Sequence, residues 1–167
     1  MITNEIHFLL LPFSQSIFAK AEALKKHEVG LRPDHIARFR ESISEDIKKC
    51  SNFVVPEVSD EAHHEATKRG LNLFEKNWHD QPAFDPGRKI FHLEHVQPVS
   101  AIRAMCLECD TEKEVHYTLQ SHLRVAWILK KEDAELSRLG YRSKRKDPDA
   151  AYAHANIRLR KIAGTTN

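Results

Sequence analysis

The chain has little of what several protein classes require. Its 167 residues include only three cysteines, Cys50, Cys106 and Cys109. An odd, small number of cysteines argues against a disulfide framework, and a single CxxC pair argues against a four-ligand structural zinc site. No apolar run approaches the roughly 18 residues of a membrane span. The opening segment lacks the basic start and the small-residue cleavage site of a signal peptide, so we expect a cytoplasmic protein with no membrane partner.

The chain also lacks internal repeats and low-complexity tracts, and its net charge is only +2. That small value conceals an asymmetry. Residues 138–167 hold eight Lys or Arg and two Asp, a balance of +6, whereas the first 137 residues carry −4. A basic C-terminal part on an acidic body predicts a surface that binds a polyanion. The same stretch also fits a solvated helix surface followed by a basic tail.

Helical periodicity dominates the first 80 residues. One apolar pattern runs from Pro12 to about Glu28, a second begins at Pro33, and a third is capped by Ser59 and Asp60 and extends to Trp78. The intervening NFVVPEV (52–58) is predicted as a loop or a short edge strand. Prolines, aspartates and a glycine in NWHDQPAFDPGR (77–88) mark a boundary. We therefore predict a helical part over residues 1–80 and a second part over residues 85–167.

Strand and helix patterns alternate in the second part. KIFHLEHV (89–96) and RVAWIL (124–129) read as strands. Between them lie two predicted helices, one beginning at Ser100 and one with a Thr111–Glu114 capping box that ends near His122. A short helix closed by Gly140 and a last helix starting at Asp147 follow. The expected fold class is α+β and mostly helical.

The stretch LEHVQPVS (93–100) carries the most specific chemical signal. Glu94 and His95 end a predicted strand, and Pro98 follows three residues after the histidine. This pattern resembles the first element of the HNH, or ββα-metal, endonucleases. The resemblance implies a small ββα-metal-like nuclease core in which His95 is the general base and Glu94 a catalytic metal ligand. It also implies one divalent ion, Mg²⁺ or Mn²⁺, and a further ligand returned by a helix.

The sequence leaves the second metal ligand open. No Asn occurs between Asn77 and Asn156, so the helical ligand expected from the resemblance has to be a histidine. His122 is the first candidate and His116 the reserve. His92 is a third, because strand alternation puts it on the same face as Glu94. The same alternation puts His95 on the opposite face, so the strand would have to end or twist near Val96 for Glu94 and His95 to converge.

Double-stranded DNA is the expected substrate of a restriction-type endonuclease with this pattern. The resemblance and the basic C-terminal part predict phosphate contacts from seven cations: Arg103, Arg142, Lys144, Arg145, Lys146, Arg158 and Arg160. The helical part could supply the surface of a homodimer that cuts both strands. Two alternatives stay open: a non-catalytic nucleic-acid-binding protein whose histidines are structural, and a ribonuclease.

Overall fold

A computed structural model describes residues 4–162 of the chain. Over this range the protein is α+β and mostly helical, with eight α-helices and one four-stranded sheet, which confirms the predicted fold class. None of the helices described is long and apolar enough to cross a membrane. The elements are α1 (Asn4–His27), α2 (Pro33–Cys50), β1 (Glu57–Ser59), α3 (Asp60–Lys68), α4 (Gln81–Phe84), β2 (Phe91–His95), α5 (Val99–Glu108), α6 (Glu112–His122), β3 (Val125–Leu129), α7 (Lys130–Arg138), α8 (Pro148–His154) and β4 (Leu159–Arg160).

The described residues divide into two compact units, neither of which is continuous in sequence. The sheet unit contains residues 55–98 and 124–162, and the helical unit contains residues 4–54 and 99–123. The chain leaves the sheet unit after β2, forms α5 and α6 in the helical unit, and returns for β3. The predicted boundary at residues 80–85 therefore does not coincide with the division between the units.

The helical unit is built from α1, α2, α5 and α6 around apolar faces. Ile17 and Ala21 of α1 and Ile43 and Ile47 of α2 are fully buried, as their helical spacing predicts. Helix α1 begins at Asn4 and runs through Pro12, which has no N–H to donate within the helix. The helix is therefore two turns longer than the pattern that starts at the proline.

The sheet unit has the strand order β2-β3-β1-β4. Strand β3 pairs antiparallel with β2 and parallel with β1, and β4 pairs antiparallel with β1. All five residues of β3 are buried, because helices cover both faces of the sheet. One face packs with α3 (Val58, Ala62, Ala66, Leu73, Phe91, Trp127, Leu129), and the other packs with α7 and α8 (Val96, Ala126, Ile128, Leu136, Tyr152, Ala155, Ile157).

Two predicted elements differ from the structure. Helix α3 ends at Lys68 and does not reach Trp78, because Gly70 takes a left-handed φ of 66° that stops the helix. Segment 57–59, predicted as a loop or an edge strand, lies between β3 and β4 in the sheet. Three residues are too few to show the alternating pattern of a strand, so the sequence does not reveal that β1 is interior.

Candidate metal centre and nucleic-acid interface

Strand β2 presents His92 and Glu94 on the face of the sheet that packs with α7 and α8. Both residues pair with β3 in a regular ladder, His92 with Ile128 and Glu94 with Ala126. Alternate residues of a strand share a face, and Nε2 of His92 lies 3.2 Å from Oε2 of Glu94. The predicted alignment of these two side chains is therefore present.

A third metal-ligand side chain comes from α7. This helix follows β3 directly, and its first turn carries Asp133, whose Oδ1 lies 3.9 Å from Nε2 of His92. One ligand atom from each of His92, Glu94 and Asp133 lies within 4.8 Å of the other two. Two antiparallel strands and the following helix thus bring together one imidazole and two carboxylates.

The spacing of these three atoms is close to what one divalent ion requires. Two ligands at about 2.1 Å from one Mg²⁺ are about 4.2 Å apart when they are opposite and about 3.0 Å apart when they are adjacent. The 3.2 Å between His92 and Glu94 fits adjacent ligands, whereas Asp133, at 3.9 Å from His92, would have to move closer. An imidazole beside two carboxylates extends the choice of ion toward Mn²⁺. Nε2 of His92 can bind an ion only when the ring proton is on Nδ1. Three protein ligands leave coordination positions for water and substrate.

The electrostatics of Glu94 keep it ionised. Its side chain is 15% exposed, and burial by itself would raise its pKa. In the metal-free protein, the hydrogen bond with His92 and the charge of Arg145 together outweigh burial, so the pKa of Glu94 lies below its usual value. A carboxylate that is already deprotonated does not have to release a proton when it binds a metal.

Arg145 occupies a different position from the one predicted for it. Its side chain is fully buried, and its guanidinium donates to a carboxylate oxygen of Glu94. The same group donates to the backbone oxygens of Tyr141 at 2.6 Å, His95 at 2.8 Å and Val96 at 3.1 Å. These four hydrogen bonds hold the guanidinium inside the protein, so Arg145 is not available to contact a phosphate from solution.

His95 lies on the opposite side of the strand from the three-residue cluster. The ladder is regular through the pair of His95 with Val125, and the N–H of Val96 still donates to the carbonyl of Arg124 at 3.0 Å. The strand therefore does not end before His95, and alternation turns the His95 side chain away from Glu94. The role of His95 as a general base stays a prediction.

The two histidines predicted from the helix belong to the helical unit. His122 is the last residue of α6 and is half-buried, and its pairing with Glu94 of the sheet unit stays a prediction. His116 is buried and uses both ring nitrogens, Nδ1 with Ser14 Oγ at 3.0 Å and Nε2 with His7 Nε2 at 3.1 Å. Of the three histidine candidates, His92 is the one whose ligand atom lies in a cluster with Glu94.

The remaining predicted phosphate contacts fall in two places. In the sheet unit, Arg142, Lys144 and Lys146 are exposed around the buried Arg145, and Arg158 and Arg160 are exposed near β4, where Arg160 is paired with Asp60. In the helical unit, Arg103 is half-buried and donates to Ser44 Oγ at 2.9 Å. The basic segment 142–146 therefore offers three exposed cations beside an arginine that is bonded to Glu94.

The three cysteines lie in the core of the helical unit. Cys50, Cys106 and Cys109 are free and buried. Burial raises the pKa of the Cys106 thiol to about 12, which makes the thiolate form rare at neutral pH. A protonated, buried thiol is a packing group rather than a metal ligand.

Asp133 is the site residue that the sequence did not indicate. It follows Glu132, whose carboxylate accepts the N–H of Leu129 at 2.7 Å at the start of α7. Two acids in the first turn of a helix have an ordinary explanation in the helix dipole. The position of Asp133 in the chain could have indicated it, because α7 directly follows β3, the strand that pairs antiparallel with β2.

Comparison of the chain with protein-family models, with curated proteins and with solved structures finds no match.

Proposed function

We propose that the protein is a metal-dependent endonuclease that hydrolyses phosphodiester bonds in DNA, with the metal centre at His92, Glu94 and Asp133. One observation carries this proposal: the Glu-His pair with its following proline ends the first strand of a β2–β3–α7 arrangement in which two carboxylates and an imidazole converge. The resemblance to HNH endonucleases and this convergence have Glu94 in common, and the convergence adds Asp133, to which the resemblance does not point.

The chemistry of the three side chains suits phosphodiester hydrolysis. A divalent ion bound there would neutralise negative charge on the phosphate and on the departing oxygen. Glu94 and Asp133 supply the negative charge that holds such an ion, and His92 supplies a neutral nitrogen. The resemblance makes His95 the general base for the attacking water, but its side chain leaves β2 on the face opposite the cluster, so this role requires the end of β2 to twist when substrate binds.

The basic segment supports a nucleic acid as the substrate. Arg145 is hydrogen-bonded to Glu94, and Lys144 and Lys146 are its chain neighbours, each one Cα step of about 3.8 Å away. These two lysines and Arg142 are exposed, so they can contact backbone phosphates close to the carboxylates. Such contacts would position a strand without specifying its sequence.

Cleavage of plasmid DNA tests the proposal. Wild-type protein should nick or cut a plasmid with Mg²⁺ or Mn²⁺ and lose this activity with EDTA, whereas folded Glu94→Gln should still bind the DNA without cutting it. An uncut plasmid under both metals, with DNA binding retained, would favour a non-catalytic nucleic-acid-binding protein. Cleavage of total RNA but not of plasmid would favour the ribonuclease alternative.

A further inference from the structure

The basic segment that follows α7 contains one arginine that behaves unlike its neighbours. Arg142, Lys144 and Lys146 are exposed, whereas the side chain of Arg145 is completely buried. Removing a guanidinium from water costs several kcal/mol unless its charge and its N–H groups are matched. The environment of Arg145 provides both kinds of match.

Four of the five N–H groups of Arg145 have partners. Nε donates to the carbonyl of Tyr141, and Nη1 donates to the carbonyls of His95 and Val96. Nη2 donates to Oε1 of Glu94, and the guanidinium carbon lies 5.3 Å from the ring centroid of Tyr152. A planar group held by acceptors along three of its edges has one orientation available to it.

This arrangement divides the two oxygens of Glu94 between two tasks. Oε1 accepts from Arg145, while Oε2 lies 3.2 Å from Nε2 of His92 in the cluster with Asp133. The hydrogen bonds to the His95 and Val96 carbonyls also tie the guanidinium to the end of β2, so the strand end and the carboxylate are held by one group. Partners that orient metal ligands in this way typically change metal affinity by 10- to 100-fold when removed.

We infer that Arg145 is a positioning residue of the metal centre: it holds Oε1 of Glu94 and the end of β2 so that Oε2 is directed toward the ion. This inference rests on the proposed function, because it presupposes an ion at His92, Glu94 and Asp133. It assigns the basic segment two tasks, with the buried arginine serving the metal centre and the exposed cations serving the substrate.

Direct Mn²⁺ titration of four proteins tests this role: wild type, Arg145→Met, Arg145→Lys and the control Arg142→Met. Arg145→Met should bind Mn²⁺ at least tenfold more weakly. Arg145→Lys, which keeps the charge but not the planar fork, should be about three- to tenfold weaker. Arg142→Met removes an exposed cation three residues away and should match wild type. The Co²⁺ absorption spectrum, which reports ligand geometry, should change in both Arg145 variants and not in the control.

The outcomes separate the inference from the proposed function. If wild type does not bind Mn²⁺, the metal centre itself is refuted. If wild type binds and folded Arg145→Met has the same affinity and Co²⁺ spectrum, the positioning role is refuted while the metal centre stands. Arg145→Met leaves buried carbonyls unpaired, so it could fail to fold. Arg145→Lys then decides alone, and a wild-type affinity and spectrum for that variant would overturn the inference.

Discussion

Replacing Asp133 by Asn should leave the melting temperature of the metal-free protein nearly unchanged but remove most of the stabilisation by added Mn²⁺. The ligand atoms of Asp133 and Glu94 lie within 4.8 Å of each other. At an effective dielectric constant of about 20, two carboxylates about 4.8 Å apart would repel by about 3.5 kcal/mol if no other charge were nearby. Arg145 offsets part of this repulsion and the Asp133 side chain is 31% exposed, so the effective repulsion is well below that value. Asp133 also gains about 0.3–1 kcal/mol from its place in the first turn of α7.

These two effects oppose each other, so the metal-free Asp133→Asn protein should melt close to wild type. With metal the difference should be large. An ion at 100 times its dissociation constant stabilises the native state by about 2.7 kcal/mol. Loss of a direct ligand should weaken Mn²⁺ binding at least as much as loss of a residue that only orients a ligand, by about 100-fold. At the same Mn²⁺ concentration, the remaining stabilisation of the native state is about 0.4 kcal/mol. At about 2–4 °C per kcal/mol, the Mn²⁺-induced shift should fall from about 5–11 °C to about 1–2 °C.

Thermal unfolding with and without Mn²⁺ measures this difference. Glu135→Gln is a matched control, because it removes one negative charge from the same helix at a position outside the cluster. That variant should keep the full shift with Mn²⁺. A full shift in Asp133→Asn, or an equal loss in both variants, would show that the ion does not bind at Asp133.

Three further predictions concern the base, the basic segment and pH. His95→Ala should abolish metal-dependent plasmid cleavage and leave Mn²⁺ affinity near wild type, as measured by cleavage assay and titration. Changing the three exposed cations of the basic segment to Gln should lower the slope of log K against log salt on duplex DNA by about 0.9 for each phosphate that is no longer bound (Arg142, Lys144, Lys146). Burial, and then the neighbouring charge of His7, lower the pKa of His116 below 6.5, so the unfolded chain binds this proton more readily than the folded one. The contribution of His116 to the free energy of unfolding should therefore be fully present above pH 6.5 and be lost as the pH falls below it. His116→Gln should flatten this decline in thermal melts.

Opposite results would contradict each of these expectations. Cleavage by folded His95→Ala would remove that histidine from the reaction. An unchanged salt slope would place the phosphate contacts elsewhere. An identical pH profile of the melting temperature for wild type and His116→Gln would show that the hydrogen-bonded chain of Ser14, His116 and His7 does not contribute to acid sensitivity.

Local patterns were sufficient to predict most elements of the fold. Thr111 accepts the N–H of Glu114 at the start of α6, and Asp147 accepts that of Ala150 at the start of α8, as their residue types predict. Such caps depend on residues three positions apart, so one sequence contains all the information they require. The interior position of β1 depends on its pairing with β3, which is distant in sequence, and no local pattern reports that.

The candidate site was predictable for its strand residues and not for its helix residue. Glu94 and His92 share a face by alternation alone. The short spacing after the motif indicates α6 as the source of the second ligand, but α5 and α6 belong to the helical unit. The β2–β3 pair is completed only from residue 125 onward, and the helix that follows it is α7. The segment inserted between the two strands places Asp133 far from the motif in sequence, so the spacing of residues after the motif does not predict it as a ligand.

The burial of Arg145 was also hidden, because five consecutive polar residues look alike in sequence. A buried ion pair is weak evidence for stability, since apolar side chains of similar volume often stabilise a core as well or better. The Glu94–Arg145 pair therefore needs another physical reason. Without Arg145, the half-buried Glu94 would lie near the Asp133 carboxylate with no cationic partner, which would disfavour its ionised form. With Arg145, the charge of the guanidinium lowers the pKa of Glu94, and the two carboxylates and the guanidinium together carry one net negative formal charge. The metal centre proposed above supplies such a reason, because an ion bound there would require a fixed, ionised Glu94.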